Sequence, residues 1–116
     1  MARRVAKFAN QRQITIHKEK CDKENIYAKI NKEAMFLAMR TFPGQKAPAF
    51  ELWCYLASQM DGYVFALSQA ELEASIGMKE DAYTTAFGRL VDAGYLVLSD
   101  KNTIYEFYEL PQKKTD

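Results

Sequence analysis

Residues 68–96, SQAELEASIGMKEDAYTTAFGRLVDAGYL, contain two helix signals separated by a tight turn, and this arrangement is specific to a few folds. Ser68 and Glu71 have the S-x-x-E spacing of a capping box, which predicts that a helix begins here. Gly77 supplies the left-handed backbone on which a helix commonly ends. Between Gly77 and Gly94, apolar residues recur at intervals of three and four, so a second helix is predicted there. The stretch therefore predicts a helix-turn-helix.

The apolar residues of this pair are predicted to pack where the two helices cross. Leu72 and Ile76 lie four residues apart on the inner face of the first helix. Tyr83, Ala86 and Leu90 form the corresponding stripe on the second helix. The remaining positions of the second helix are left to face outward, where a partner can reach them.

The segments around the helix pair extend this pattern. Residues 95–98 and 103–108 are rich in β-forming side chains, and the polar residues 99–102 suit the turn of a hairpin. Residues 63–67 predict a further short strand, and a helix is predicted to start near residue 48, at a proline. The order helix, strand, helix, turn, helix and hairpin over residues 48–110 is that of a winged helix-turn-helix domain.

The chain before this domain is predicted to be an extension that packs on its core. Asn31 is a suitable N-cap for a helix that ends at Pro43-Gly44. Ile14–Ile16 and Ile26–Ile30 alternate as short strands do, which predicts a strand-loop-strand ribbon. The predicted fold class is α+β, a three-helix core plus a β-wing, with a basic arm and a short β/α extension. Its predicted parts are a flexible basic arm at 1–13, the extension at 14–47, the winged helix at 48–110 and a tail at 111–116.

Length and composition exclude several classes of protein. A chain of 116 residues supports one domain, and its two cysteines are too few for a secreted disulfide scaffold, so we expect a cytoplasmic protein. Its longest apolar runs are about five residues, against about 20 needed to cross a bilayer. One histidine and two distant cysteines do not form a metal-ligand set. We therefore expect no metal, no other cofactor and no membrane partner.

The formal net charge of +1 conceals a division along the chain. Residues 1–48 contain eleven Lys and Arg and four acidic residues, a net charge of +7. Residues 49–116 contain five basic and eleven acidic residues, a net charge of −6. Such asymmetry indicates that the two parts face different partners, although a solvated basic tail on an acidic domain is an equal alternative.

Several short stretches resemble a known family. They are AFELWCYL at 49–56, GYVFALS at 62–68, Tyr83-x-x-Ala-Phe-x-x-Leu90 with Gly94-Tyr-Leu96, YEFYE at 105–109 and the entry CDKENIY at 21–27. Together these stretches look like the small winged-helix proteins of Gram-positive phages, plasmids and conjugative elements, over roughly residues 14–110. The resemblance implies a winged-helix fold and a replication-initiator or transcription-regulator role. Its motifs are mainly packing and turn residues, which identify a fold better than an activity.

The outward positions of the second helix are the candidate readers of DNA. Threonine hydroxyls can bond base edges or phosphates, and an arginine can fork onto guanine or clamp a phosphate. A glycine at an exposed helix position is explained either by a closely approaching ligand or by a tight helix–helix contact. The candidates are Lys79, Thr84, Thr85, Gly88 and Arg89 on this helix, with Lys101 and Asn102 at the tip of the wing.

Acidic residues close to these candidates make the helix and wing a poor phosphate cradle. Affinity for duplex DNA depends on Lys and Arg that neutralise phosphates, so further cations are needed. The N-terminal arm supplies them in Arg3, Arg4, Lys7 and Arg12. We therefore expect the chain to bind duplex DNA with the helix and the arm together, as a homodimer on a palindromic site.

A second class of function is a protein-binding module. An acidic winged helix can dock on a basic surface of a host protein by mimicking nucleic-acid charge, as an inhibitor of a host defence nuclease does. Tyr105 and Tyr108 would suit such an interface. Enzyme activity is not expected, since capping explains Ser68 and His17 has no partner nearby in the sequence.

Overall fold

The fold consists of four α-helices and a small antiparallel sheet within the described part of the chain. The computed structural model describes residues 12–18, 28–59, 61–63, 65–98 and 105–113. The elements are α1 at Lys32–Thr41, a 3₁₀ turn at Gly44–Lys46, α2 at Ala47–Ala57, α3 at Gln69–Ile76, α4 at Glu80–Ala93, β1 at Leu96–Leu98 and β2 at Tyr105–Phe107. The chain is thus α+β, as the sequence predicts.

The predicted N-caps are confirmed by hydrogen bonds. Asn31 Oδ1 accepts from the amide of Ala34 at 2.9 Å, and Ser68 Oγ accepts from the amide of Glu71 at 3.4 Å. Each bond satisfies one of the amides that a first helical turn leaves without a partner. The prediction that Pro48 lies in the first turn of α2 is also confirmed.

The predicted C-terminal glycines are confirmed as well. Gly77 ends α3 at φ +73° and Gly94 ends α4 at φ +90°, both in the left-handed region. The Gly77 amide donates to the Glu73 carbonyl, which closes the last turn of α3. The turn between α3 and α4 is therefore as short as the sequence predicts.

The hairpin that follows α4 is confirmed in its two strands. β1 and β2 pair antiparallel, with Leu96 opposite Phe107 and Leu98 opposite Tyr105. The predicted turn at 99–102 lies outside the described residues. Leu96 is buried and Phe107 is half-buried against Trp53, at 6.2 Å between ring centroids, so one face of the hairpin packs on α2.

The core is centred on α2, which contacts α1, α4 and the hairpin. Leu52 and Trp53 of α2 are fully buried, together with Leu90 of α4. The α1 part of the extension belongs to the same core: Ala34, Ala38 and Phe42 are buried, and the Phe42 ring lies 5.7 Å from the ring of Tyr95. Glu109 links α1 to α2, because its carboxylate accepts from the Asn31 amide and its carbonyl accepts from Trp53 Nε1.

Three sequence expectations differ from the structure. The strand expected at Ile14–Ile16 is wrong: this segment has irregular backbone, and Ile14 and Ile16 are 76% and 71% exposed. Residues 28–30 have irregular backbone too, and the loop expected between the two strands lies outside the described residues. Without burial of one face, alternation alone does not hold a strand in place.

The other two differences concern Ile76 and residues 63–67. Of the predicted strand, residues 63 and 65–67 are described and have no strand structure. The rings of Tyr63 and Phe65 stack on each other instead, with 5.3 Å between their centroids. Ile76, expected on the inner face of α3, is 38% exposed, whereas Leu72 is fully buried. Because α3 is short and ends directly after Ile76, its last turn extends beyond the core.

Candidate functional site

The outer side of α4 presents one continuous polar face. Asp81, Thr84, Thr85, Gly88 and Asp92 are all exposed, whereas Ala86 and Leu90 on the opposite side are buried. This division follows from the helical repeat, because positions three and four residues apart share a face. We call these five exposed residues the α4 face. The structure thus brings three of the sequence-predicted residues, Thr84, Thr85 and Gly88, together on it.

Gly88 opens a gap in the middle of the α4 face. A Cβ placed on Gly88 would meet no atom within 4 Å in the described part of the structure. A tight helix–helix contact among these residues is therefore not the reason for glycine at this position. The other explanation offered by the sequence, close approach of a ligand, stays a prediction.

Lys79 lies at the N-cap position of α4 and is exposed. Its backbone is extended there, with φ −84° and ψ 167°, and its carbonyl accepts from the Tyr83 amide. A lysine side chain cannot accept a capping hydrogen bond. The first turn is stabilised instead by Glu80 and Asp81, whose negative charges interact favourably with the positive end of the helix dipole.

Arg89 lies on the flank of α4 rather than on its exposed face. It is half-buried, and its Nε–H is shielded from solvent with no hydrogen-bond partner among the described residues. A buried donor left without an acceptor costs about 1–3 kcal/mol. Arg89 therefore differs from the freely exposed candidates on the same helix.

Arg89 lines an open cleft of about 280 Å³ between α4 and the start of α2. One wall comes from the 3₁₀ turn and the beginning of α2, and the other wall comes from α4. Asp81 and Thr85 belong both to this wall and to the α4 face, so the cleft and the face are continuous. The lining residues are Gln45, Lys46, Pro48 and Ala49 on one side and Asp81, Ala82, Thr85, Ala86 and Arg89 on the other.

The sequence prediction missed Gln45 and Lys46 as members of this site. Both are exposed on the 3₁₀ turn, which the helix-ending Pro43-Gly44 and the helix-starting Pro48 mark out in the sequence. Those signals place Lys46 at the start of α2. The crossing of α2 and α4 is what puts it beside Arg89.

An aromatic cluster borders the α4 face on the side of the hairpin. The rings of Phe87 and Tyr105 meet edge to face at 5.0 Å, and Tyr83 lies 5.9 Å from Phe87. Burial raises the pKa of the Tyr83 phenol, so this side chain stays neutral at physiological pH. The α4 face is thus flanked by a charged cleft and by an aromatic border.

Most of the remaining predicted DNA contacts lie outside the described residues. This applies to Arg3, Arg4 and Lys7 of the arm and to Lys101 and Asn102 of the wing tip. Arg12 is described and is exposed in irregular backbone.

A second cleft, of about 380 Å³, lies between α2 and α3 and has a different character. It is lined mainly by apolar and aromatic side chains, among them Phe50, Tyr55 and Ile76. Burial, and next the charge of Glu51, raises the pKa of the Cys54 thiol in this cleft. The thiol is therefore protonated at neutral pH, a poor state for a nucleophile or a metal ligand.

Comparisons with protein-family models, with curated proteins and with solved structures found no match to this chain. Within the described residues, no group of three or more His, Cys, Asp or Glu side chains could hold a metal ion. The same residues include no helix that is long and apolar enough to span a bilayer.

Proposed function

We propose that this chain is a winged helix-turn-helix protein that binds duplex DNA with α4 in the major groove. The observation that carries the proposal is the α4 face, on which Thr84, Thr85 and the open Gly88 are exposed together. Threonine can bond base edges and pack its methyl group against thymine. The gap at Gly88 allows base edges to approach the helix backbone.

The surroundings of α4 support a winged-helix domain. α3 and α4 are joined at the left-handed Gly77, and the β1–β2 hairpin follows α4 directly. In such a domain the second helix of the pair enters the groove and the hairpin contacts the adjacent backbone. Lys101 and Asn102 are the proposed contacts of the hairpin tip.

The charge on α4 requires cations from elsewhere in the chain. Glu80, Asp81 and Asp92 repel phosphates, and Lys79 and Arg89 alone do not outweigh them. We propose that Arg3, Arg4, Lys7 and Arg12 supply the missing charge from the basic arm, and that two copies bind a palindromic site. The corresponding biological role is regulation of transcription or replication in a phage or another mobile element.

Fluorescence anisotropy with labelled duplex DNA at two salt concentrations tests this proposal. We expect binding that weakens steeply with salt and that falls when residues 1–13 are deleted. Replacing Thr84 and Thr85 by alanine should reduce the preference among sequences, because their contacts to base edges are lost. The matched control is Thr41→Ala, because the Thr41 hydroxyl donates to the Leu37 carbonyl in α1, away from α4. Absence of binding at low salt contradicts the proposal.

One observation favours the second candidate function, a module that binds a host protein. The hairpin leaves Val97, Leu98, Tyr105 and Tyr108 between 37% and 44% exposed, and aromatic side chains are enriched in protein interfaces. A pull-down from nuclease-treated host lysate tests this candidate, with Tyr105→Ser as the variant that should lose the partner. A captured protein that disappears after nuclease treatment counts against it.

A further inference from the structure

We propose that Lys46 and Arg89 together hold one phosphate of the DNA backbone in the cleft beside α4. The inference rests on the proposed function and assigns a specific role within it. Arg89 then fixes the position of the protein on the duplex and does not read a base. Lys46, which comes from the basic half of the chain, becomes part of the interface.

The chemistry of the cleft fits a phosphodiester. Lys46 contributes an ammonium group and Arg89 a guanidinium group, and both bind phosphate oxygens through charge-assisted hydrogen bonds. Gln45 and Thr85 line the same cleft and add an amide and a hydroxyl donor. These four residues are among the nine that line the open cleft of about 280 Å³, and Asp81 is the one acidic residue of the nine.

The burial of Arg89 makes it suited to positioning. Packing of its half-buried stem limits the rotamers that a fully exposed arginine would sample, so less entropy is lost when the guanidinium binds. Its shielded Nε–H has no acceptor among the described residues. The guanidinium carries four further N–H donors, for which a phosphate oxygen is an acceptor of the right charge.

The location of the cleft matches where phosphates lie around a helix in the major groove. That groove is about 12 Å wide and an α-helix with its side chains is about 10–12 Å across. The groove edges, and therefore the phosphates, run along the flanks of the helix. The cleft lies on one such flank and is continuous with the α4 face through Asp81 and Thr85.

The salt dependence of DNA binding provides the test. Removing the neutralisation of one phosphate reduces the steepness of log K against log salt by about 0.9, so Lys46→Ala and Arg89→Ala should each reduce it by part of that amount and the two changes together by about 0.9. Both variants should weaken binding by the same factor on every duplex sequence. Lys46→Arg and Arg89→Lys keep the charge and should retain the slope of the parent protein.

The matched control is Lys29→Ala, which removes an exposed lysine that precedes α1 and does not line the cleft. Its salt slope should equal that of the parent protein. Should Arg89→Ala fail to fold, the exposed Lys46→Ala still decides the matter. An unchanged slope in Lys46→Ala overturns the proposal, as does an Arg89→Lys variant whose sequence preference changes at one base position.

Asp81→Asn tests the same cleft with a substitution that should strengthen DNA binding rather than weaken it. Removing the Asp81 carboxylate, which lines the cleft, should strengthen binding several-fold on all sequences, because its repulsion of the phosphate disappears. Unaltered affinity in this variant counts against a phosphate in the cleft.

The outcomes distinguish the two proposals. If the parent protein binds no duplex at all, the proposed function itself fails. If it binds while the cleft variants behave like Lys29→Ala, only the cleft assignment fails.

Discussion

Gly88 lowers the stability of α4 but suits the proposed binding of DNA. It lies in the middle of α4, where glycine is less favourable than alanine by about 1 kcal/mol. Nothing among the described residues fills the space beside it, so the chain gains no internal packing in return. Under the proposed function, close approach of DNA to the backbone of α4 accounts for this cost.

Gly88→Ala is therefore expected to stabilise the protein and weaken DNA binding. The free energy of unfolding should rise by about 1 kcal/mol, because the added Cβ has room and the helix propensity improves. The affinity for DNA should fall several-fold, since the same Cβ occupies space at the α4 face. Denaturant unfolding and anisotropy measure the two effects separately.

Ser75→Ala is the control for Gly88→Ala. Ser75 is exposed on α3, and its hydroxyl donates to the Glu71 carbonyl, so alanine there also favours a helix without altering α4. It should leave DNA affinity unchanged. A Gly88→Ala protein that binds DNA as tightly as its parent would show that nothing approaches α4 closely at this position.

At the scale of the elements, the two glycines that end α3 and α4 have different surroundings. Both Gly77 and Gly94 have positive φ. A Cβ on Gly77 would meet no described atom within 4 Å, but one on Gly94 would collide with the carbonyl oxygen of Gln112. Gln112 is held there by a 2.9 Å hydrogen bond from its amide to the Gly94 carbonyl. Gly94 thus joins the end of α4 to the chain that follows β2.

The comparison of Gly94→Ala with Gly77→Ala separates backbone strain from steric collision. Gly77→Ala should lower the free energy of unfolding by about 1 kcal/mol, the cost of a left-handed residue with a side chain. Gly94→Ala should cost about 3 kcal/mol or more, because the collision with backbone adds to this strain. Chemical denaturation of both variants checks the difference, and equal losses would contradict the contact with Gln112.

At the scale of the whole molecule, α1 and the C-terminal hairpin stabilise each other. Phe42 at the end of α1 is 5% exposed and packs against the buried Tyr95, which follows α4. Glu109 adds hydrogen bonds to Asn31 and Trp53. The α1 part of the predicted extension is therefore integral to the core and should unfold together with it.

Phe42→Ala should lower the free energy of unfolding by about 3–5 kcal/mol, the usual cost of truncating a buried phenylalanine. Hydrogen exchange should show the amides of α1 and α4 losing protection together, as expected for one cooperative unit.

Phe36→Ala on the same helix is the control, since Phe36 is 41% exposed and its truncation should cost less than about 1 kcal/mol of unfolding free energy. Early exchange confined to α1 would contradict a shared core. Phe42→Leu, which removes fewer buried atoms than Phe42→Ala, provides a milder variant of the same test.

Local signals predicted most of the helix boundaries correctly. The strand predicted at Ile14–Ile16 is wrong, because this segment has irregular backbone. Asn31, Ser68, Gly77 and Gly94 act on backbone groups within a few residues, so their effect follows from neighbouring positions. The strand expected at Ile14–Ile16 depends on a partner segment and on burial of one face. Neither requirement can be inferred from the alternation of apolar and polar residues alone.

The candidate site divides in the same way. The helical repeat is enough to place Thr84, Thr85 and Gly88 on the exposed side of α4, because residues three and four apart must lie on one face. The half-buried position of Arg89 on the flank, with Lys46 across a cleft from it, emerges from the folded structure alone. The reason is that helix crossing depends on packing between distant residues. The division into a basic and an acidic half was plain from the sequence, but the packing of α2 against α4 brings a cation from each half to one place.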